Sequence, residues 1–359
     1  MKICLLGDTH FGVRNDSKIF HNYYEKFYDG VLFPYLLANN IDTVIQLGDL
    51  FDRRKFINFV SLTESRRYFF DKLKFHKIHL HALIGNHDIF YKHTLEVNSP
   101  KLLLKDYDNI TLWSEHGKLE IDGMMIDMIP WMCNSNENSI MEFMQNSTSP
   151  ICLGHFELLG FQLSKGVHSH EGIESNLLAN YDHVYSGHFH TKSTDKNVTY
   201  VGVPYQMFWS DYDDTKGFHV LDTKTHEVEF IKNPNIMFNK IYYDDSNVDE
   251  QAFIKSIGQN KNDITDTYVK VVVVNKTNSY LFDMLIDEIY SAQPADLSIV
   301  EDFTDVLDTN NDVSVDQAQD TLTILSNYID GQSLSIESAK LKTLMRELYI
   351  EALSTENVE

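Results

Sequence analysis

The sequence predicts an α/β protein of two packed β-sheets with helices outside, extended by a smaller α+β unit and C-terminal helices. Three observations lead there. Short apolar runs alternate with helical patterns through the first hundred or so residues. Strand-like runs then dominate from about residue 110 to 231. Five strand-like runs end in a glycine or tight turn followed by side chains of metal-binding type.

The elements follow in order. "KICLLG" (2–7), "TVIQLGD" (43–49) and "IHLHALIG" (78–85) have the apolar, β-branched content of strands, and the longer patterns "FHNYYEKFYDGVLFPYLL" and "FVSLTESRRYFFDKLKF" between them read as helices. This is the grammar of βαβ units. The runs "NITLWS", "KLEI", "MMIDMIP", "ICLGH", "HVYSGH", "VTYVG", "GFHVLD" and "EVEFI" supply the mostly β part. A second region opens near "NPNIMFNK" (233–240), with the strand "TYVKVVVV" and the helix "SYLFDMLIDEIYSA". The expected organisation is a main domain over 1–233, an α+β unit over 234–300, an acidic linker over 301–320 and a helical segment over 321–359. In the last, Leu322, Leu325, Tyr328 and Ile329 form one apolar stripe, and Leu341, Leu344, Met345, Leu348, Tyr349 and Leu353 another.

The 359 residues carry a formal net charge of −23, which repels nucleic acid and anionic membranes at long range. The charge is uneven: residues 245–359 hold 7 basic and 22 acidic groups, so most cations lie in the first part. Cys4, Cys133 and Cys152 form no CxxC pair and no disulfide framework, which suits a reducing compartment. The N-terminal apolar run is too short for a secretory signal, and "VKVVVVN" is too short for a bilayer span. The expectation is a soluble, cytoplasmic protein without membrane association.

The chemistry sits at the strand ends. "LLGDTH" places Asp8 and His10 after the first strand, and "QLGDLFD" places Asp49 and Asp52 after the second. "LIGNHD" places Asn86, His87 and Asp88 after the third; "CLGHFE" gives His155 and "YSGHFH" gives His188 and His190. Strand carboxyl ends are where α/β folds carry their sites. Imidazole, carboxylate and amide oxygen suit Mn, Fe or Zn better than Ca, and no thiolate joins the set. Two Asp, one Asn and four His are too many ligands for one ion and suit two ions sharing a carboxylate.

The series DxH, GDxxD, GNHD, GHxE and GHxH over residues 8–190 resembles the motifs of the calcineurin-like metallophosphoesterase superfamily. It is most similar to the DNA-repair nuclease branch, that of SbcD-like and T-even-phage-type subunits, also through "MIDMIPWMC" (125–133) and "GHFELLGF" (154–161). The resemblance implies a two-sheet αββα metallophosphoesterase sandwich with a capping domain at 234–300. It implies that Asp8, His10 and His190 hold one divalent ion and Asn86, His155 and His188 the other, bridged by Asp49. Mn²⁺ is the expected metal and Mg²⁺ the alternative. His87 is implied as general acid or transition-state stabiliser, with Asp52 as its orienting carboxylate.

Two departures narrow the activity. Phosphatases of the superfamily read GDxxDRG, whereas "GDLFDRRKF" has Arg54 in place of that glycine. Arg53, Arg54 and Lys55, with Arg14, could form a phosphate-backbone patch or merely a solvated helix start. The branch also implies a partner, an SbcC-like ABC-type ATPase on which the C-terminal helices dock, and a homodimer through segments 60–75 and 91–105. The reading is a metal-dependent DNA exonuclease and endonuclease of recombination and repair, in the host cytoplasm if phage-encoded. The alternative is a stand-alone nucleotide phosphodiesterase or phosphoprotein phosphatase.

Overall fold

The computed structural model describes residues 1–164, 167–169, 172–246, 264–300 and 341–342. Among them are seventeen strands, β1 to β17 in chain order. The first sheet holds β1 (Lys2–Leu6), β2 (Thr43–Gln46), β3 (His79–Leu83), β4 (Ile110–Trp113), β13 (Gly217–Asp222) and β14 (Val228–Lys232), in the order β14-β13-β1-β2-β3-β4. The second holds β5 (Gly117–Ile121), β6 (Met124–Ile129), β7 (Ile151–His155), β10 (His183–Gly187), β11 (Ser193–Asp195) and β12 (Val198–Tyr200), in the order β11-β12-β10-β7-β6-β5. β8 (Gln162–Ser164) and β9 (Val167–His168) form a small antiparallel pair.

Both sheets are parallel in the middle, so both of their faces are covered and their strands read as near-continuous apolar runs. In β1, Ile3 and Leu5 face the second sheet, packing with Ile45, Ile126, Met128 and Leu153. Cys4 and Leu6 face the outer helices, among Phe27, Tyr28, Phe69 and Phe70. On the far side Cys152 and Val184 pack with Ile140 and Met144 of the helix Glu137–Gln145. The layering is therefore helix, sheet, sheet, helix, as expected.

Two features add to what the sequence predicts. The β-rich stretch 110–231 does not make one sheet: β4 extends the first sheet, and β13 and β14 return to it. β13 pairs antiparallel with β1, from Lys2↔Asp222 to Leu5↔His219, and covers an edge that would otherwise expose unpaired backbone. The two long helical patterns also each contain a π-helical segment, Tyr28–Leu32 and Arg66–Phe70. The wider turn shifts the phase of the buried side chains, and Tyr28 stacks on Tyr68 with centroids 5.4 Å apart. Of segment 91–105, only Ser99–Leu103 is α-helical, with Asn98 as its cap and Pro100 in its first turn.

β15 (Phe238–Asp244), β16 (Tyr268–Asn275) and β17 (Asp296–Val300) form a third, all-parallel sheet. The helix Ser279–Ser291 buries Leu281, Phe282, Leu285 and Ile289 toward it, and most of these join Tyr243, Val269, Val271 and Val273 in a separate core. Met237 and Phe238 nonetheless insert into the core of the main body, and Gln206 Oε1 accepts from both of their amides at 2.9 and 3.0 Å. The chain divides into two compact units, Met1–Val306 and Leu307–Glu359. The expected acidic linker (301–320) and helical segment (321–359) lie outside the described residues, apart from Leu341 and Lys342.

Candidate metal centre

Five strand ends bring the site together. β1 leads into Asp8 and His10, β2 into Asp49, β3 into Asn86 and His87; β7 ends at His155, and β10 leads into His188 and His190. All eight side chains are buried. His10, Asp49 and His188 have left-handed backbones (φ 41°, 57° and 85°), a conformation non-glycine residues adopt at a cost and usually at functional sites.

The glycines of these motifs act chiefly through close approach. A Cβ on Gly85 would lie 2.1 Å from Asp49 Oδ1, and one on Gly187 would lie 2.5 Å from Asp8 Oδ1. One on Gly48 would lie 2.2 Å from His155 Nδ1, and only Gly48 among these three also has a positive φ (104°). These three glycines thus make room for a polar side chain of another motif.

The groups fall into two adjoining clusters. Asp8, His10 and His190 converge, with His10 Nε2 3.2 Å from His190 Nε2 and 3.9 Å from Asp8 Oδ2. Asp49, His155 and His188 form the second, with His155 Nε2 3.4 Å from Asp49 Oδ2. Asn86 Oδ1 stands 2.9 Å from His155 Nε2 and 3.0 Å from His188 Nδ1. Asp49 spans the two, since its Oδ2 is also 3.8 Å from His10 Nε2. Supporting contacts set the ring orientations: His155 Nδ1 is 2.7 Å from Leu47 O, and Trp131 packs 5.1 Å from the His188 ring.

Electrostatics favour a cation here. Burial by itself would raise Asp49, but His155, His87 and His10 outweigh it and hold the carboxyl well below its usual range. Asp8 is pushed up to about 6 by burial, opposed by His155 and reinforced by Asp49. For His10 and His155 burial is outweighed by the surrounding carboxylates, and both rise to about 9. His188 and His190 are held well below the usual imidazole value, first by burial and then by neighbouring His155 and His10 respectively, which keeps them in the neutral, ligating form. The two facing imidazole nitrogens of His10 and His190 and the unpartnered buried Nε2 of His87 are the arrangement a divalent ion and its substrate would satisfy. The oxygen and nitrogen donor set fits such ions.

The structure places Asp52 differently from the expected pairing. Its carboxylate faces His10, with Oδ1 3.4 Å from Nδ1, and its main-chain carbonyl lies 2.6 Å from His87 Nδ1. His87 is tied further to Asp49 by its amide, which donates to Asp49 Oδ1 at 2.7 Å. Burial lowers the His87 pKa despite Asp49, so this histidine is not held charged by an adjacent carboxylate in the way the resemblance implied.

The basic residues separate. Arg14 Nε donates to Met207 O at 3.1 Å, Arg53 pairs with Asp16 at 3.2 Å, and Lys55 is exposed. Only Arg54 reaches the centre, with Nη2 3.3 Å from the Asn86 amide. Two supports carried no assigned role in the sequence reading. Asp88, fully buried, accepts from the amides of Gly85, Leu50 and Phe51 at 3.0, 3.3 and 3.2 Å, lacing the second motif loop to the third. Its place in "GNHD" was the available signal. Buried Lys216 donates to His190 O at 2.9 Å and pairs with Asp211 and Asp214 at 2.7 and 2.8 Å; nothing local in the sequence marks it.

Comparison with known proteins accords with this geometry. The family described as calcineurin-like phosphoesterase matches residues 1–192. Exonuclease subunit 1 of Enterobacteria phage T4 is 33% identical over 357 residues, 98% of this chain and 99% of that protein. A solved structure described as a novel archaeal phosphodiesterase covers 65% of this chain and all of its own at 14% identity and a TM-score of 0.33, too distant to carry an argument.

Proposed function

The chain belongs to the calcineurin-like phosphoesterase family, and from that premise we propose that it is the nuclease subunit of a two-metal DNA exonuclease and endonuclease serving recombination and double-strand-break repair. The observation that carries the reading is the convergence of seven donor side chains from five strand ends, two clusters sharing Asp49. Asp8, His10 and His190 would hold one divalent ion and Asn86, His155 and His188 the other, with Mn²⁺ the expected metal and Mg²⁺ the alternative. Ions held by these residues would supply Lewis acidity, lowering the pKa of a bound water and neutralising charge on a phosphodiester.

The protein's own groups do the rest. The Asp52 carbonyl can only accept, so His87 Nδ1 carries a hydrogen and Nε2 is the atom that exchanges protons. Because burial lowers the pKa of this ring, Nε2 must first take up a proton from solvent; giving that proton to the leaving oxygen, the neutral ring being restored, is worth about 10²–10⁴-fold. The Asp52 carboxylate stabilises the His10 ring, and Asp88 holds the loops that carry Asp49 and Asn86.

DNA is the proposed substrate, and an SbcC-like ABC-type ATPase the proposed partner, docked through the segment 321–359. The net charge of −23 supports this division of labour, because such a chain gains duplex affinity from a partner. The nearly full-length likeness to a protein named as an exonuclease subunit supports both. A homodimer is supported by the exposed apolar side chains Val60, Phe75, Tyr91, Val97 and Leu102 on the two expected segments. No helix among the described residues is long and apolar enough to cross a membrane, and the proposed setting is the cytoplasm, that of the host for a phage protein.

The test is hydrolysis in Mn²⁺ and in Mg²⁺ of linear duplex DNA, a cyclic nucleotide and a phosphopeptide, with Asp49→Ala as the blank. Turnover of DNA that vanishes in the blank is expected. Preference for the cyclic nucleotide or the phosphopeptide would replace the nuclease reading with a stand-alone phosphoesterase.

A further inference from the structure

Arg54 differs from Arg53 and Arg14 in having no committed partner, and from exposed Lys55 in being partly buried. Among the described residues it forms no ion pair, whereas Arg53 is held by Asp16 at 3.2 Å and Asn15 at 2.6 Å. Yet it is partly buried beside the metal centre, where Asp49 is the one charged group that acts on it appreciably. A half-buried guanidinium without an acceptor is costly, and planar donors of this kind match phosphate oxygens.

The polar contact it makes among the described residues is with Asn86, whose amide oxygen has two competing uses. Turned inward, Oδ1 stands within 3.0 Å of His155 Nε2 and His188 Nδ1, and the amide nitrogen then faces the guanidinium, donor against donor. Turned outward, the oxygen accepts from Arg54 Nη2 at 3.3 Å while the nitrogen donates to Asp49 Oδ2 at 3.2 Å. Only the inward orientation offers a ligand oxygen to the centre, and it leaves Arg54 with nothing to bind.

Resting on the phosphodiesterase reading above, we propose that Arg54 is a catalytic residue that binds a non-bridging oxygen of the phosphodiester being cut. The phosphate satisfies the guanidinium, and Asn86 is released to turn its oxygen inward. Arg54 makes no covalent bond; it stabilises charge that grows on the phosphoryl oxygens as the attacking oxygen bonds to phosphorus and the ester oxygen departs. Arg53 and Lys55 have no part in this contact.

The test uses the full-length chain with Mn²⁺, comparing wild type with Arg54→Met, Arg54→Lys and Arg53→Met. The readouts are turnover of bis(4-nitrophenyl) phosphate, inhibition by inorganic phosphate, and Mn²⁺ binding without phosphate. Loss of one preorganised charge-stabilising donor costs about 10²–10³-fold in kcat, so Arg54→Met should fall by that factor. Its phosphate inhibition constant should rise about tenfold or more. Its Mn²⁺ affinity should equal or exceed that of wild type, because Asn86 is no longer drawn outward. Arg54→Lys should recover part of the activity, and Arg53→Met should behave as wild type. Unchanged turnover and phosphate inhibition in Arg54→Met overturn the proposal, and so does loss of Mn²⁺ binding, which would make Arg54 a support for the ligands. A wild-type protein that cleaves no phosphodiester would instead sink the reading beneath it.

Discussion

Replacing Gly85 by alanine tests how the site is assembled. The added Cβ would stand 2.1 Å from Asp49 Oδ1 and 2.3 Å from Asp49 N. Relief to ordinary contact needs a shift of roughly 1 Å. The carboxylate could swing, but the amide nitrogen is main chain in an already left-handed residue, φ 57°, so the loop carrying Asp49 must move. Forced packing of this kind costs about 1–3 kcal/mol of stability. A 1 Å displacement of a group that orients the reaction costs about 100-fold in rate. The expected result is a folded protein with a modestly lowered Tm, Mn²⁺ binding weakened in calorimetric titration, and bis(4-nitrophenyl) phosphate turnover down about 100-fold. Gly30→Ala is the control: nothing lies within 4 Å of the place its Cβ would take, and its φ is not in the positive range. It should leave activity unchanged and shift stability by no more than about 1 kcal/mol. Wild-type metal affinity and turnover in Gly85→Ala would refute the claim that this glycine exists to admit Asp49.

Four further outcomes are expected. His87→Ala should retain Mn²⁺ binding while kcat falls about 10²–10⁴-fold; loss of metal binding in the titration would reassign His87 to the ligand set. Asp88→Ala strands three buried amides at about 1–3 kcal/mol each, so denaturant unfolding should report a loss of about 3–9 kcal/mol, and an unchanged midpoint would contradict the lacing role. His219, pushed down to about 4 by burial with Lys192 adding to the effect, favours the neutral ring in the folded state. Its contribution is therefore fully present above the unfolded value of about 6.5 and lost as pH falls toward 4, by up to about 3 kcal/mol; urea titrations at pH 7 and 4.5 should show that slope flattened in His219→Leu. Deleting residues 320–359 should leave weak nuclease activity and break association with the proposed ATPase partner in co-sedimentation; intact association would place the interface elsewhere.

Much of the site was legible along the chain because each motif is short and local. Asp8 and His10, Asn86 and His87, and His188 and His190 each follow one strand within a few residues, so an apolar run and its polar tail show both the strand and its cargo. The pairing of Asp52 was not legible. Its carboxylate and its carbonyl lie on opposite sides of one residue, and the local backbone decides which meets His10 and which meets His87. Arg53, Arg54 and Lys55 read alike as a basic triplet, yet one reaches Asn86, one is bound to Asp16 and one is exposed. The π-helical segments were hidden too, because an apolar helical pattern tolerates one widened turn without changing its residues.

By itself the sequence determined the alternation of elements, the chemical type of every donor and the strand end that carries it, because these follow from hydrophobic period and from residues adjacent in the chain. Only the tertiary structure decided that β13 and β14 rejoin the first sheet beside β1, that glycines of one motif clear space for side chains of another, and that Lys216 reaches across to hold His190. Those are relations between segments up to about two hundred residues apart. They are settled by which surfaces bury against each other in a close-packed interior, and no local stretch of chain contains that information.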